Sequence, residues 1–174
     1  MLEASPTNFE TLKINRPDEL ALVHSGICAE ESDLHWMEGK YGATGAFWEF
    51  ASEYHRWRWL KGNSPNQGTL VKCRSLSKII EERLGSNTFF DFWTLDIEGA
   101  EFTALQTVDF EKVAFGMIVV EASNQNMMKD MAVRTLLESK GYRHLQIEGM
   151  KGNYDSDVFV NKNWHDIYKH LVHV

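Results

Sequence analysis

Three carboxylates follow a run of aromatic and aliphatic residues in the middle of the chain. Residues 89–95 form this run, and Asp96, Glu98 and Glu101 follow it with Gly99 among them. A short apolar run of this kind indicates a buried strand, and in an open α/β sheet ligands bind outside the carboxyl ends of the strands. Asp96 and Glu98 are therefore candidates for chemistry. The alternative is a loop acid and a helix-capping acid, since acidic side chains are also common at helix starts.

A second apolar run, residues 115–121, also ends in a carboxylate, Glu121. If the two strands are neighbours in a parallel sheet, Glu121 lies beside Asp96 and Glu98. Clustered carboxylates raise one another's pKa, so one of them can act as a general base near neutral pH. Alternatively they can hold a divalent metal, since hard cations prefer oxygen ligands. Glu101 falls in the first turn of the helix that follows, where the helix dipole favours an acid, and this indicates a structural role for it.

The sequence gives little support for a nucleophilic, zinc-binding or histidine-based active site. There is no Gly-x-Ser-x-Gly motif and no indication of a Cys-His dyad, so nucleophilic hydrolysis is not predicted. Cys28 and Cys73 have neither the spacing of a zinc site nor that of a disulfide framework, and we expect neither. His24 and His144 lie in predicted strands near the edge that carries the acids. Either could contact a substrate, although packing is the more common use of such a histidine.

The composition is that of one acidic globular domain. The chain has 174 residues, of which 43% are hydrophobic, and a formal net charge of -7. We therefore expect a single domain over residues 1–174 and no nucleic-acid partner, because nucleic-acid binders need a basic surface. Cations alternate with aromatics at residues 55–59, where we favour a half-buried rim over a contact to a phosphate or a base. Neither a signal peptide nor a membrane-spanning run is visible, so the expected location is cytoplasmic.

The positions of the apolar runs and turns predict an α/β fold. Strands alternate with helices along most of the chain, which indicates a largely parallel sheet covered by helices. Residues 142–148 and 157–161 are expected to pair as an antiparallel edge. A final amphipathic helix is predicted to follow Asn163.

Three segments of the chain together resemble the FkbM family of S-adenosylmethionine-dependent methyltransferases. They are residues 2–12, residues 76–80, and residues 94–101 with residues 118–121 beyond them. The most specific likeness is the Asp-x-Glu-Gly-x-Glu motif that begins at Asp96, at its distance from the Val-Val-Glu strand. Together the segments span nearly the whole chain.

The resemblance implies a fold, a cofactor and a site. The family's fold is a Rossmann-like sheet, mostly parallel with an antiparallel last strand, and its cofactor is S-adenosylmethionine. Glu3 would accept hydrogen bonds from the ribose hydroxyls, because a carboxylate offers two acceptor oxygens. The adenine would lie near Ser25, Gly26, Ile27 and Cys28. Asp96 and Glu98 would lie by the methyl group and the acceptor oxygen, with Glu121 as a weaker catalytic candidate.

The expected reaction is O-methylation of a hydroxyl group on a small molecule or a glycan. It requires alignment of the hydroxyl, the methyl group and the leaving sulfur, together with a base, for which Asp96 is the first candidate. The family pattern begins with a strand and a glycine-rich loop that this chain lacks, so the resemblance implies an N-terminally truncated domain. The alternatives are a strand supplied by a partner, or a non-catalytic domain that serves as a protein-interaction module. The sequence predicts no oligomeric state.

Overall fold

A computed structural model of the chain describes residues 1–41, 43–85, 88–122, 126–145 and 156–163. Strands and helices alternate over these ranges, which confirms the α/β class. The strands are β1 (Leu2–Glu3), β2 (Val23–His24), β3 (Gly26–Ile27), β4 (Ser32–Met37), β5 (Ala46–Phe47), β6 (Thr69–Arg74), β7 (Thr88–Leu95), β8 (Val113–Glu121), β9 (Tyr142–Leu145) and β10 (Ser156–Asn161). The helices are α1 (Pro6–Asn15), α2 (Glu53–Trp59), α3 (Leu76–Leu84), α4 (Glu101–Gln106) and α5 (Met127–Ser139). None of the described helices is both long and apolar enough to cross a bilayer.

One four-stranded sheet, in the order β7-β8-β10-β9, carries the two predicted acid strands. β7 and β8 are parallel neighbours with Leu95 opposite Val120, so the acids that follow them leave the sheet at the same edge. β10 runs antiparallel to both β8 and β9, which confirms the antiparallel pairing predicted late in the chain. Residues 146–155 and the helix predicted after Asn163 lie outside the described residues.

The described strands form three sheets, and this corrects the prediction of one largely parallel sheet. β1 and β2 are a parallel pair, and the third sheet has the order β3-β6-β4-β5. β3 is parallel to β6, but β4 is antiparallel to both β6 and β5. The short connection at residues 28–31 explains the reversal, because a parallel return needs a crossover of about a dozen residues or more. Within the described residues, no strand joins the β1-β2 pair to β7.

The main hydrophobic core joins the β7-β8-β10-β9 sheet to helices α3, α4 and α5. Ile118, Val120 and Phe159 from the sheet and Leu105 and Leu137 from the helices have no exposed surface. Each such side chain contributes about 1.5–3 kcal/mol on burial, so this packing fixes the helices on the sheet. The carboxyl ends of β7 and β8, where the acids lie, are therefore anchored by the most tightly packed part of the chain.

Residues 32–68 form a smaller unit with a core of its own. It contains β4, β5, α2 and a 3₁₀ turn at Pro65–Gln67. Its buried core consists of Met37, Ala46, Ala51 and Leu60, with Trp48 packed against them. The residues 55–59 that the sequence assigns to a half-buried rim all lie in α2, where the Arg56 guanidinium stacks on the Trp48 ring at 4.5 Å. This unit stands beside the acid-bearing edge of the main sheet.

Cys28 and Cys73 form a disulfide, with their Cα atoms 5.6 Å apart. The expectation that the two cysteines form no disulfide is therefore wrong. The pairing of β3 with β6 places Gly26 opposite Cys73 and brings Cys28, just beyond the end of β3, next to it. Spacing along the chain carries no information on this register, so the bond could not be predicted from the sequence.

Candidate active site

The acid loop, residues 96–100 between β7 and α4, is folded around the carboxylate of Glu101. This side chain is fully buried, and its Oε1 accepts hydrogen bonds from the backbone N–H groups of Ile97 (3.0 Å) and Gly99 (3.1 Å). Glu98 has a φ of 57° and Gly99 a φ of 105°, both in the left-handed region. A non-glycine residue rarely adopts that conformation, so we attribute it to the two bonds that flank Glu98. The result is a fixed turn that carries Asp96 and Glu98.

Lys129, in the first turn of α5, supplies the positive charge beside Glu101. Its Nζ donates to Glu101 Oε2 at 2.7 Å and to the backbone carbonyl of Glu121 at 3.3 Å. The pair is buried, with side-chain exposures of 0% for Glu101 and 8% for Lys129. Burial disfavours both charges, but the hydrogen bond and the partner's charge more than offset it. They lower the pKa of Glu101 and raise the pKa of Lys129.

Asp96, Glu101 and Glu121 place carboxylate oxygens within 4.8 Å of one another. Burial and the charges of Glu101 and Asp96 raise the pKa of Glu121 to about 8. Burial and the charges of Asp96 and Glu101 raise the pKa of Glu98 to about 7. Partial burial and the charge of Glu101 also raise the pKa of Asp96. Carboxyl groups that titrate near neutral pH can exchange protons with a substrate, so this cluster has the capacity for acid–base chemistry.

The hydrogen-bond donors around Glu101 bear on the alternative in which these carboxylates hold a divalent metal. Its Oε1 already accepts from two backbone N–H groups and its Oε2 from the Lys129 ammonium. A divalent ion bound by these carboxylates would have to compete with that ammonium for Glu101 and would lie close to its positive charge. The donor set therefore fits a buried lysine, and we assign the cluster to Lys129 rather than to a metal.

A cavity of about 310 Å³ opens beside the acid loop. Its volume lies near the lower end of the range for small-molecule sites, roughly 300–1,000 Å³. Its lining includes Glu3 at the end of β1, residues 25–27 around β3, and Asp96 and Glu98 of the acid loop. The 32–68 unit adds three aromatic side chains to the lining, Trp36, Phe47 and Phe50.

Four of the five predicted cofactor residues line this cavity, namely Glu3, Ser25, Gly26 and Ile27. Cys28 does not line it, because its sulfur is bonded to Cys73. Glu3 Oε1 accepts the backbone N–H of Ser5 at 2.7 Å, which fixes the orientation of the carboxylate. A carboxylate oxygen accepts more than one hydrogen bond, so Glu3 keeps acceptor capacity toward the cavity.

The wall at β3 is built from backbone rather than from free polar groups. The buried Ser25 hydroxyl lies 2.8 Å from the carbonyl oxygen of Gly26 and 3.1 Å from that of Lys72. Its single hydrogen is therefore used within β3 and β6, so toward a ligand the hydroxyl can act only as an acceptor. A Cβ built on Gly26 would lie 2.5 Å from the Phe47 ring, so only glycine fits at this position. The close approach leaves a flat surface of backbone next to an aromatic ring.

Among the predicted catalytic residues, Asp96 and Glu98 line the cavity, whereas Glu121 does not. Glu121 lies at the end of the neighbouring strand, with a carboxylate oxygen within 4.8 Å of one from Asp96. The two histidines considered near this edge, His24 and His144, do not line the cavity either. The His24 ring stacks on Phe9 and His144 lies 3.2 Å from an oxygen of Asp157, so both have packing or pairing partners elsewhere.

Sequence reasoning missed Lys129, His55 and the aromatic wall. Lys129 follows Asn126, whose side chain accepts the backbone N–H of Lys129 at 3.1 Å and starts α5. A lysine so close to a helix start is unusual, because the helix dipole favours acids there. This position was the one feature of the sequence that could have indicated a special role for Lys129. His55 lies in α2 with its Nδ1 3.7 Å from Glu98 Oε2. Nothing in the local pattern of α2 points to that long-range contact.

The fold and the site define an α/β domain whose cavity lies at the carboxyl ends of its strands, where such domains bind ligands. The family model described as Methyltransferase FkbM domain matches residues 1–144, so the chain belongs to the FkbM methyltransferase family. Searches of curated proteins and of solved structures find no significant match. Family membership indicates methyltransferase activity toward a methyl acceptor, and methyltransferases generally use S-adenosylmethionine.

The substitution Lys129→Met tests the buried ion pair. It is expected to lower the free energy of unfolding by about 3–5 kcal/mol, because the Glu101 carboxylate stays buried without its partner. Urea denaturation at pH 7 measures the loss. The exposed residue Lys78 on α3 gives a matched control, since Lys78→Met is expected to change stability by about 0.5 kcal/mol or less. A loss no larger than in the control would show that the pair does not stabilise the fold.

The raised pKa of Glu121 predicts a pH dependence of stability. A carboxyl whose pKa is higher in the folded state takes up a proton on folding. Its stabilising contribution is complete below the unfolded-state pKa and is lost as the pH rises toward 8. The free energy of unfolding is therefore expected to fall between pH 5 and 8. The decline should be shallower in Glu121→Gln, which should be more stable than the native protein at pH 8 by about 1 kcal/mol. Parallel slopes for the two proteins would contradict the assignment.

Proposed function

We propose that the chain binds S-adenosylmethionine in the cavity beside the acid loop and transfers its methyl group to a hydroxyl of a small molecule or a glycan. The observation that carries this proposal is the convergence of two sets of residues on one cavity. Glu3 and residues 25–27 line the cavity together with Asp96 and Glu98, although 93 positions separate Glu3 from Asp96 in the sequence. The resemblance to the family assigns the first set to the cofactor and the second to the reaction.

The chemistry of the cavity walls fits this cofactor. Glu3 presents a carboxylate in a fixed orientation, which suits the adjacent hydroxyls of a ribose. The flat backbone at Gly26 beside the Phe47 ring suits a planar purine. When bound, S-adenosylmethionine supplies a methyl group on a positively charged sulfur, and the nearby carboxylates favour that charge. We propose no contact for Cys28, since it does not line the cavity.

The carboxylates of Glu98, Asp96 and Glu121 have different roles in the proposed reaction. Glu98 is suited to be the general base, because its pKa of about 7 allows it to take a proton from a hydroxyl near neutral pH. Asp96 lines the same wall and is suited to orient the acceptor hydroxyl by a hydrogen bond. Glu121 lies outside the cavity, where it does not touch the substrate. Removal of Glu121 should therefore affect the rate less than removal of Glu98.

Calorimetric titration of the 174-residue chain with S-adenosylmethionine tests the proposal. We expect saturable binding that is weakened about tenfold by Glu3→Gln, since that substitution removes the charge that strengthens hydrogen bonds to the ribose. Glu10→Gln, on the exposed face of α1, is the matched control and should bind like the native protein. The absence of binding would overturn the enzyme assignment and favour the interaction module. Equal affinity of Glu3→Gln and the native protein would refute the role of Glu3.

A further inference from the structure

Helix α2 brings one histidine against the acid loop. The Ser52 hydroxyl accepts a hydrogen bond from the backbone N–H of His55 at 3.1 Å. Ser52 thereby caps the N-terminus of α2, and His55 lies in the first turn of the helix. The His55 imidazole is only 14% exposed and its Nδ1 lies 3.7 Å from Oε2 of Glu98, which is 29% exposed. This is the distance of an ion pair, in a place where water competes weakly for either group.

The second ring nitrogen of His55 fixes which nitrogen faces Glu98. His55 Nε2 lies 3.2 Å from the backbone carbonyl oxygen of Thr44. A carbonyl oxygen can only accept a hydrogen bond, so Nε2 carries the hydrogen. In the neutral ring Nδ1 then has a lone pair, and this lone pair faces the Glu98 carboxyl. The His55 ring is thus prepared to accept a proton from Glu98.

The other charged groups that affect Glu98 are Asp96, Glu101 and Lys129. Burial, followed by the charges of Asp96 and Glu101, raises the pKa of Glu98, and Lys129 opposes this effect. Lys129 is committed to Glu101 by a 2.7 Å hydrogen bond. Among these groups, His55 is the one that can become positive beside Glu98 by accepting a proton. An imidazole is also the side chain that most readily exchanges a proton near neutral pH.

We propose that His55 is a positioning residue that holds the Glu98 carboxylate and receives from it the proton released by the acceptor hydroxyl. This inference rests on the proposed function in one respect, namely that the proton comes from methyl transfer. The unusual backbone of Glu98 fits the role. Its φ of 57° is stabilised by the bonds from Ile97 and Gly99 to Glu101, and it directs the carboxylate to a position shared by the cavity and His55.

Glu98 and His55 are sufficient to accept the proton that methyl transfer releases. The acceptor oxygen forms a bond to the methyl carbon while its O–H bond breaks, and the electron pair of the methyl–sulfur bond stays on sulfur. The proton passes first to Glu98 and then to His55 Nδ1. The positive charge that leaves the sulfur therefore reappears on the imidazolium, beside the restored Glu98 carboxylate. Release of this proton to solvent returns the pair to its starting state.

NMR titration of the Glu98 side-chain carboxyl carbon tests the pair without any cofactor or acceptor. In His55→Gln, we expect the titration midpoint of Glu98 to rise by about half a pH unit or more, because an imidazole that can carry a positive charge beside the carboxylate has been replaced by a neutral amide. His35→Gln is the matched control: it removes another histidine–glutamate pair, with Nδ1 of His35 2.7 Å from Glu49, and should leave Glu98 unchanged. An unchanged Glu98 midpoint in His55→Gln would overturn the proposal.

The reciprocal variant keeps the proposal testable if His55→Gln does not fold. In Glu98→Gln the NMR signals of the His55 ring nitrogens at pH 7 should move from their native positions, because the Glu98 carboxyl lies 3.7 Å from Nδ1. Unchanged His55 signals would also overturn the proposal. Failure to bind S-adenosylmethionine would count against the proposed function alone, because neither NMR measurement uses a cofactor. Once methyl transfer is measured, His55→Gln should lower kcat about tenfold with little change in KM for S-adenosylmethionine, and an unchanged kcat would exclude His55 from proton transfer.

Discussion

The site depends on one buried ion pair, between Glu101 and Lys129. Glu101 binds the N–H groups of Ile97 and Gly99 through one oxygen and the Lys129 ammonium through the other. These bonds connect the turn after β7 with the start of α5, and Lys129 extends the connection to the end of β8 through the carbonyl of Glu121. A carboxylate without solvent contact would be neutral in the absence of such a partner, and its bonds to the loop would weaken. The pair thus holds the conformation that carries the reactive acids.

The same arrangement explains why the remaining acids have unusual pKa values. Burial raises the pKa of Asp96, Glu98 and Glu121, and repulsion among the carboxylates, which Lys129 offsets only in part, raises it further. Protonation relieves the rest of the repulsion, and the free energy of unfolding therefore falls as the pH rises and these groups lose their protons. Acid groups that destabilise the folded state in this way are typical of sites that move protons. His55 gives Glu98 a neighbour to which its proton can pass.

Local patterns in the sequence predicted the acid-bearing strand, the neighbouring strand that ends in Glu121, and the late antiparallel pair. Each of these follows from apolar runs and turn residues within a short window. The contacts of Lys129 and His55 could not be predicted in this way, because they join distant elements through tertiary packing. The Cys28–Cys73 bond was missed for the same reason, since it depends on the register of β3 against β6. The division into three sheets follows from connection lengths that the alternation of strands and helices does not reveal.

The most direct test of this account measures how the buried pair affects cofactor affinity. In the double variant Glu101→Leu/Lys129→Met neither partner of the ion pair is left buried without the other, so the loss of stability should be smaller than in Lys129→Met. Neither residue lines the cavity, and any effect on binding must therefore pass through the acid loop. Calorimetric titration of this variant with S-adenosylmethionine is predicted to give a Kd at least about tenfold higher than that of the native protein. An unchanged Kd in a folded double variant would show that the ion pair does not shape the site.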